Sequence, residues 1–61
     1  MWTSVYMTQN IETAKEVRLK IEAHSISVML HKIAGTDGNA DCYELLVPFA
    51  ELSEALDIII D

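Results

Sequence analysis

The residues of this chain best suited to chemistry are a histidine, a cysteine and a glutamate that flank one turn-forming segment. His31 precedes residues 35–39 and Glu44 follows them, so a tight hairpin sets the two opposite each other, with Cys42 nearby. An imidazole beside a carboxylate suits a metal site or an acid–base pair, because imidazoles titrate near neutrality and bind metals. No third ligand is evident, so a cross-strand charge pair that tunes an interface is the simpler interpretation. The functional interpretation and the charge-pair interpretation both remain open at this point.

A second candidate for chemistry is segment 37–41, which begins like a calcium-binding EF-hand loop with oxygen ligands at alternate positions. The match then fails, because Cys42 stands where the loop requires glycine and Pro48 where it requires a bidentate glutamate. Turn-forming residues explain the segment as well. The chain also contains no Ser-His-Asp arrangement, no glycine-rich phosphate loop and no CxxC pair. We therefore expect no enzymatic activity, no cofactor and no bound metal.

Charge and composition exclude several classes of function. The 61 residues include 10 acids against 4 Lys and Arg, which gives a net charge of −6, and no Lys or Arg follows Lys32. Because phosphate backbones are held by clustered Lys and Arg, we expect no nucleic-acid binding. No apolar run approaches the roughly 20 residues that span a bilayer, and no secretory signal opens the chain. A lone cysteine suits a reducing compartment, so we expect a cytoplasmic protein without membrane contact.

Local patterns predict a single α+β domain over residues 1–61 with the element order β-α-β-β-α. Strands are predicted over residues 2–8, from Ile26 onward, and over 42–47, where apolar residues alternate with others. Asn10 is a predicted N-cap for a helix over about 11–24, and Pro48 suits the first position of a second helix. The buried stripe of that second helix is predicted to contain Leu52, Ala55, Leu56 and Ile59.

The basic residues of the first helix alternate with acids, as on a helix face in contact with water. Glu16 and Lys20 are four residues apart, the spacing of a helical ion pair. His24, near the predicted end of this helix, suits an interaction with the helix dipole. These residues therefore need no ligand to explain them.

The hairpin register can be predicted from the turn. If Asp37-Gly38 forms the tip, residues whose numbers sum to 75 face each other across the second and third strands. The predicted facing pairs are Leu30 with Leu45, Val28 with Val47, His31 with Glu44, and Met29 with Leu46. Each pair combines side chains of compatible chemistry. A shift of the strand register by one residue would destroy this match.

A strand-helix-strand crossover followed by a hairpin predicts a truncated ferredoxin-like fold, a split β-α-β with sheet order 1-3-2 and both helices on one face. The residues predicted on the covered face are Val5, Met7, Val28, Leu30, Leu45 and Val47. The residues predicted on the uncovered face are Trp2, Tyr6, Met29, His31, Cys42, Glu44 and Leu46.

That uncovered face is too apolar to remain in contact with water, and the first strand is an unprotected sheet edge. We expect a homo-oligomer, with a dimer favoured, that forms through the uncovered face, through the edge of the first strand, or through both; the seven residues are the candidate interface. The expected function is that of a non-enzymatic regulatory or protein-interaction module. The alternative is a sensor of a small ligand or metal, with a site between subunits near His31, Cys42 and Glu44. Whether a different protein also binds this chain is left open.

Fold-determining residues along nearly the whole chain carry a resemblance to a known family. They are Val5-Tyr6, Asn10, Ala14, Val17, Ile21, Ile26, Val28, the run Glu-Leu-Leu-Val-Pro over 44–48, Glu51, Glu54 and Ala55. The pattern resembles a small bacterial family labelled prokaryotic signal-transducing proteins, a domain of unknown function similar in shape to PII-type regulators. The resemblance implies a truncated ferredoxin-like fold and a role in bacterial signal transduction.

The chain departs from this family at two places. Ser25 stands where the family often has glycine at the end of the first helix. Residues 34–41 replace the long loop with which PII regulators contact nucleotide and targets, and they contain no basic phosphate cradle. The resemblance therefore does not imply nucleotide sensing of the PII kind.

Overall fold

The elements occur in the predicted order in a computed structural model that describes residues 1–60; Asp61 lies outside the described residues. They are β1 Trp2–Thr8, α1 Ile11–Glu22, β2 Met29–Ile33, β3 Cys42–Pro48, a 3₁₀ turn Phe49–Glu51 and α2 Leu52–Ile60. β3 lies between β1 and β2 and pairs antiparallel with both, so β1 and β2 are parallel to each other. The predicted α+β split β-α-β with order 1-3-2 is therefore confirmed.

Asn10 begins α1 as predicted. Its Oδ1 accepts hydrogen bonds from the backbone N–H groups of Glu12 at 2.9 Å and Thr13 at 3.3 Å, which satisfies two donors that a helix start leaves free. The helix ends at Glu22 rather than near residue 24. Ser25 follows with φ 62°, in the left-handed region that usually ends helices and favours glycine.

β2 begins at Met29 rather than at the predicted Ile26. The hairpin register places Ser27 opposite Pro48, which has no N–H to donate, and Ile26 opposite the 3₁₀ turn. Ladder hydrogen bonds are therefore lost at this end. Ile26 is nevertheless buried in the core, so the segment before β2 is held by packing rather than by pairing.

The predicted hairpin register is confirmed for three of the four predicted pairs; the fourth, Val28 with Val47, is not part of the ladder because Val28 precedes β2. The facing pairs are Met29–Leu46, Leu30–Leu45, His31–Glu44, Lys32–Tyr43 and Ile33–Cys42. At the tip, Asp37 and Gly38 have φ values of 53° and 83°, and the Asn39 N–H donates to the Thr36 carbonyl oxygen at 2.9 Å. Two consecutive positive φ values closed by this bond are the mark of a type I′ turn, the turn that Asp-Gly favours.

β1 contains a β-bulge that changes the face of its later residues. The pairs along β1 and β3 are Trp2–Pro48, Thr3–Val47, Ser4–Leu46, Tyr6–Leu45, Met7–Glu44 and Thr8–Tyr43. Ser4 and Tyr6 pair with consecutive residues of β3, so Val5 is the extra residue of the bulge. Because side chains alternate strictly in a regular strand, this extra residue reverses the faces of all that follow it.

The bulge corrects two predictions. Tyr6 was expected on the uncovered face, but it pairs with buried Leu45 and packs against the core. Met7 was expected on the covered face, but it pairs with Glu44 and is 54% exposed. Both predictions are wrong because they assumed unbroken alternation along β1. Val5 packs against the core, as expected.

The core lies between the sheet and the two helices, which contact each other and the strands β1 and β3. Its buried residues are Ile21, Ile26, Leu45, Val47 and Ala55, and the half-buried residues packed against them are Val5, Tyr6, Val17, Val28, Leu30, Leu52, Ile58 and Ile59. In α2, Leu56 is exposed where the predicted stripe included it, and Ile58 packs against the core instead. Pro48 ends β3 rather than opening the helix, because the 3₁₀ turn comes between them.

Candidate interaction surface

The sheet face that points away from the helices is called the open face here. On β3 it carries the residues that alternate with buried Leu45 and Val47, and on β1 and β2 it carries their facing partners. The register assigns to it Trp2, Ser4 and Met7 from β1, Met29, His31 and Ile33 from β2, and Cys42, Glu44, Leu46 and Pro48 from β3.

Large apolar side chains on the open face remain in contact with water. Trp2 is 45% exposed, Met7 54%, Met29 44% and Ile33 38%. Leu46 lies on the central strand between the two edge strands and is half-buried. Several large exposed apolar side chains on one face are typical of an interaction site.

His31 and Glu44 form the polar part of the open face. Their Nδ1 and Oε1 atoms lie 3.7 Å apart, with the Glu44 side chain 19% exposed and the His31 side chain 63% exposed. The pair is therefore an ion pair whenever the imidazole is protonated. Among residues 1–60, Glu44 is also the one acid that the register places on the open face.

The predicted interface set is largely brought together. All of its residues except Tyr6 lie on the open face. Met7 and Ile33 belong to the face and were missed. The sequence could have predicted Ile33 on this face, because residue numbers that sum to 75 pair it with Cys42. It could not have predicted Met7 there, because the face of Met7 depends on the bulge at Val5.

Cys42 is a free, half-buried thiol on this face, paired with Ile33 at the end of the ladder. Within residues 1–60, no group of three or more His, Cys, Asp or Glu side chains is arranged to hold a metal ion. His31, Cys42 and Glu44 therefore do not make a complete ligand set within one chain. A metal on this face requires ligands from elsewhere.

The loop that resembles the start of an EF-hand has a structural role. Asp41 Oδ1 accepts a hydrogen bond from the Gly35 backbone N–H at 2.8 Å, and Lys32 Nζ lies 3.3 Å from Asp41 Oδ2. The Gly35 hydrogen bond, and then Lys32, lower the pKa of the Asp41 carboxyl below its ordinary value of 3.8. Asp41 thus holds the base of the hairpin loop closed in its ionised form.

Comparisons of this chain with family models, curated proteins and solved structures return no match. In the part of the chain that the structure describes, no helix combines the length and apolar character needed to cross a membrane.

Proposed function

We propose that this chain is a non-enzymatic regulatory or protein-interaction module that acts as a homodimer through its open face. The observation that carries the proposal is the set of exposed apolar side chains there, namely Trp2, Met7, Met29 and Ile33. Each is about half-exposed, so covering it contributes on the order of 1 kcal/mol. The resemblance noted in the sequence supports a setting in bacterial cytoplasmic signal transduction, which is part of the same proposal.

Charge favours a second copy as the occupant of the open face. Each chain carries a net charge of −6, and residues 49–61 hold four of its acids and no Lys or Arg, so two copies repel each other most strongly through the surface of α2. On the open face, the carboxylate of Glu44 lies beside His31 rather than beside another acid. Two copies that meet there avoid the like-charge contacts that two α2 surfaces would make. A basic partner would instead be drawn to the acidic surface of α2.

The size of the open face predicts a dimer of moderate affinity. Strands about 4.8 Å apart with about 3.3 Å per residue give a face of roughly 14 by 23 Å. Two such faces together cover roughly 650 Å² as flat surfaces, which is below the 1,200 Å² or so of most stable interfaces. Met1 and Phe49 are also exposed at the Trp2 end of the sheet, where the Phe49 N–H donates to the Met1 carbonyl oxygen. We expect a dissociation constant of the order of micromolar.

The experiment compares oligomeric mass in two variants that place the same charge at different apolar sites. Met29→Lys introduces a charge on the open face, and we expect it to produce a monomer of 6.8 kDa. Leu19→Lys is the matched control, because Leu19 is 63% exposed on α1 and lies outside the open face. We expect this control to remain dimeric. Circular dichroism shows that both variants are folded. Equal masses for the two variants would contradict the proposed interface.

The alternative function, a ligand or metal sensor between subunits, is favoured by one distance. The 3.7 Å between His31 Nδ1 and Glu44 Oε1 is close to the separation of two ligands of one metal ion. A second copy would have to supply the remaining ligands. Thermal unfolding in the presence of zinc tests this, since a stabilisation that His31→Ala abolishes favours the sensor. No effect of zinc on either protein favours the interaction module.

A further inference from the structure

A second candidate site lies on the helical side of the molecule and does not involve the open face. It is a cleft of about 500 Å³ between the end of α1 and the first turns of α2. Lys20, Ala23 and His24 line one wall, and Glu54, Asp57 and Ile58 line the other. The cleft is open to solvent, and its volume is comparable to that of small-ligand sites.

The two walls of the cleft carry opposite charges. Glu54, Asp57 and Ile58 are residues i, i+3 and i+4 of α2 and share one face of that helix. Lys20 lies in the last turn of α1, and Ala23 and His24 lie in the turn that follows it. The α1 wall carries the Lys20 ammonium and the His24 imidazole, and the α2 wall carries the Glu54 and Asp57 carboxylates. Ala23 and Ile58 supply apolar surface, and Ile58 also packs against the core. The cleft thus combines one ammonium beside an imidazole, two carboxylates and an apolar part.

The opposite charges of the cleft do not neutralise each other directly. The ion pairs within residues 1–60 are Arg18–Glu22, His31–Glu44 and Lys32–Asp41. None joins the two walls, although both line the same space. The gap between them suits a molecule that carries a positive and a negative group at once.

We propose that the cleft binds a small zwitterion with an apolar side chain, which is the chemistry of a free apolar amino acid. Its carboxylate pairs with Lys20 and His24, and its ammonium pairs with Glu54 and Asp57. Its side chain contacts Ile58. The site is formed within one chain, so it stands whether or not the open face dimerises.

The test is a titration of the ¹⁵N-labelled chain followed by amide chemical shifts. With L-leucine at up to roughly 10 mM, we expect saturable shifts at residues 20–24 and 54–58, with a dissociation constant of the order of millimolar. Leucinamide lacks the carboxylate and 4-methylpentanoate lacks the ammonium, so each should bind about fivefold or more weakly. Absence of saturable shifts with leucine overturns the proposal, as does equal binding of all three compounds.

Matched variants separate the cleft from the rest of the helical surface. Lys20→Gln and Asp57→Asn each remove one charge from a wall, and each should weaken leucine binding about fivefold. Lys15→Gln and Glu16→Gln remove the same kinds of charge from exposed positions of α1 outside the cleft. These controls should bind as the unaltered chain does. Equal affinity in the cleft variants and the controls would show that the charges of the walls do not hold the ligand.

Discussion

Ser25 has a backbone conformation that its side chain disfavours. Its φ of 62° is positive, and this left-handed conformation costs a residue with a Cβ roughly 1–2 kcal/mol. The residue is exposed, and its N–H donates to the Glu22 carbonyl oxygen at 2.9 Å as α1 ends. Glycine keeps that backbone bond and removes the steric cost. Ser25→Gly should therefore stabilise the fold.

The size of the gain follows from two opposing terms. Relief of the left-handed strain contributes roughly 1–2 kcal/mol, and the greater freedom of glycine in the unfolded chain takes back roughly 0.5–1 kcal/mol. The net gain is about 0.5–1 kcal/mol, which for a domain of this size raises Tm by about 4–8 °C. The urea midpoint should rise by about 0.5–1 M. All samples are compared at one protein concentration, because dimerisation also contributes to stability.

Ser27→Gly is the control for this prediction. Ser27 lies in the same connection between α1 and β2 and is exposed, but its φ is not positive. Glycine there brings the entropic cost without relief of strain, so it should destabilise the fold by about 0.5 kcal/mol. A Ser25→Gly variant no more stable than Ser27→Gly would refute the argument.

Other substitutions test the bulge and the hairpin loop. Tyr6→Ala should lower the free energy of unfolding by roughly 1.5–3 kcal/mol because Tyr6 packs against the core, while Met7→Ala should change it by less than about 0.5 kcal/mol. Equal effects in urea unfolding would contradict the bulge. Gly35→Ala should cost about 1–3 kcal/mol because its Cβ would overlap the carbonyl oxygen of Asn39; an unchanged urea midpoint would disprove this. The lowered pKa of Asp41 means that its ionised form stabilises the fold above about pH 4, and that this contribution is lost as pH falls through the folded-state value. The difference in urea midpoint between the unaltered chain and Asp41→Asn should therefore shrink from pH 6 to pH 3, and a constant difference would rule this out.

Local signals in the sequence predict most of this fold. The Asp37-Gly38 turn determines the register of β2 and β3, and Asn10 determines the start of α1, because each acts through bonds to residues close in sequence. The sequence placed Ser25 at the end of the first helix, but it did not predict the positive φ of Ser25, since serine is not a usual left-handed residue. Sequence and structure agree where the physical cause is local.

The bulge at Val5 explains why part of the open face was not predicted. An extra residue in a strand is accommodated by its partner strand and by packing, and the alternation in residues 2–8 looked regular without it. The consequence is specific: Tyr6 joins the core and Met7 replaces it on the open face. The sequence also did not predict the cleft that Lys20 and Asp57 line, because these residues come together only when the two helices pack against each other.

The central claim is that two copies of this chain associate through the open face. Sedimentation equilibrium of the unaltered chain between roughly 10 and 200 µM tests it most directly. We predict a mass that rises with concentration toward twice the 6.8 kDa of the monomer. A mass that remains at the monomer value across this range would contradict the account.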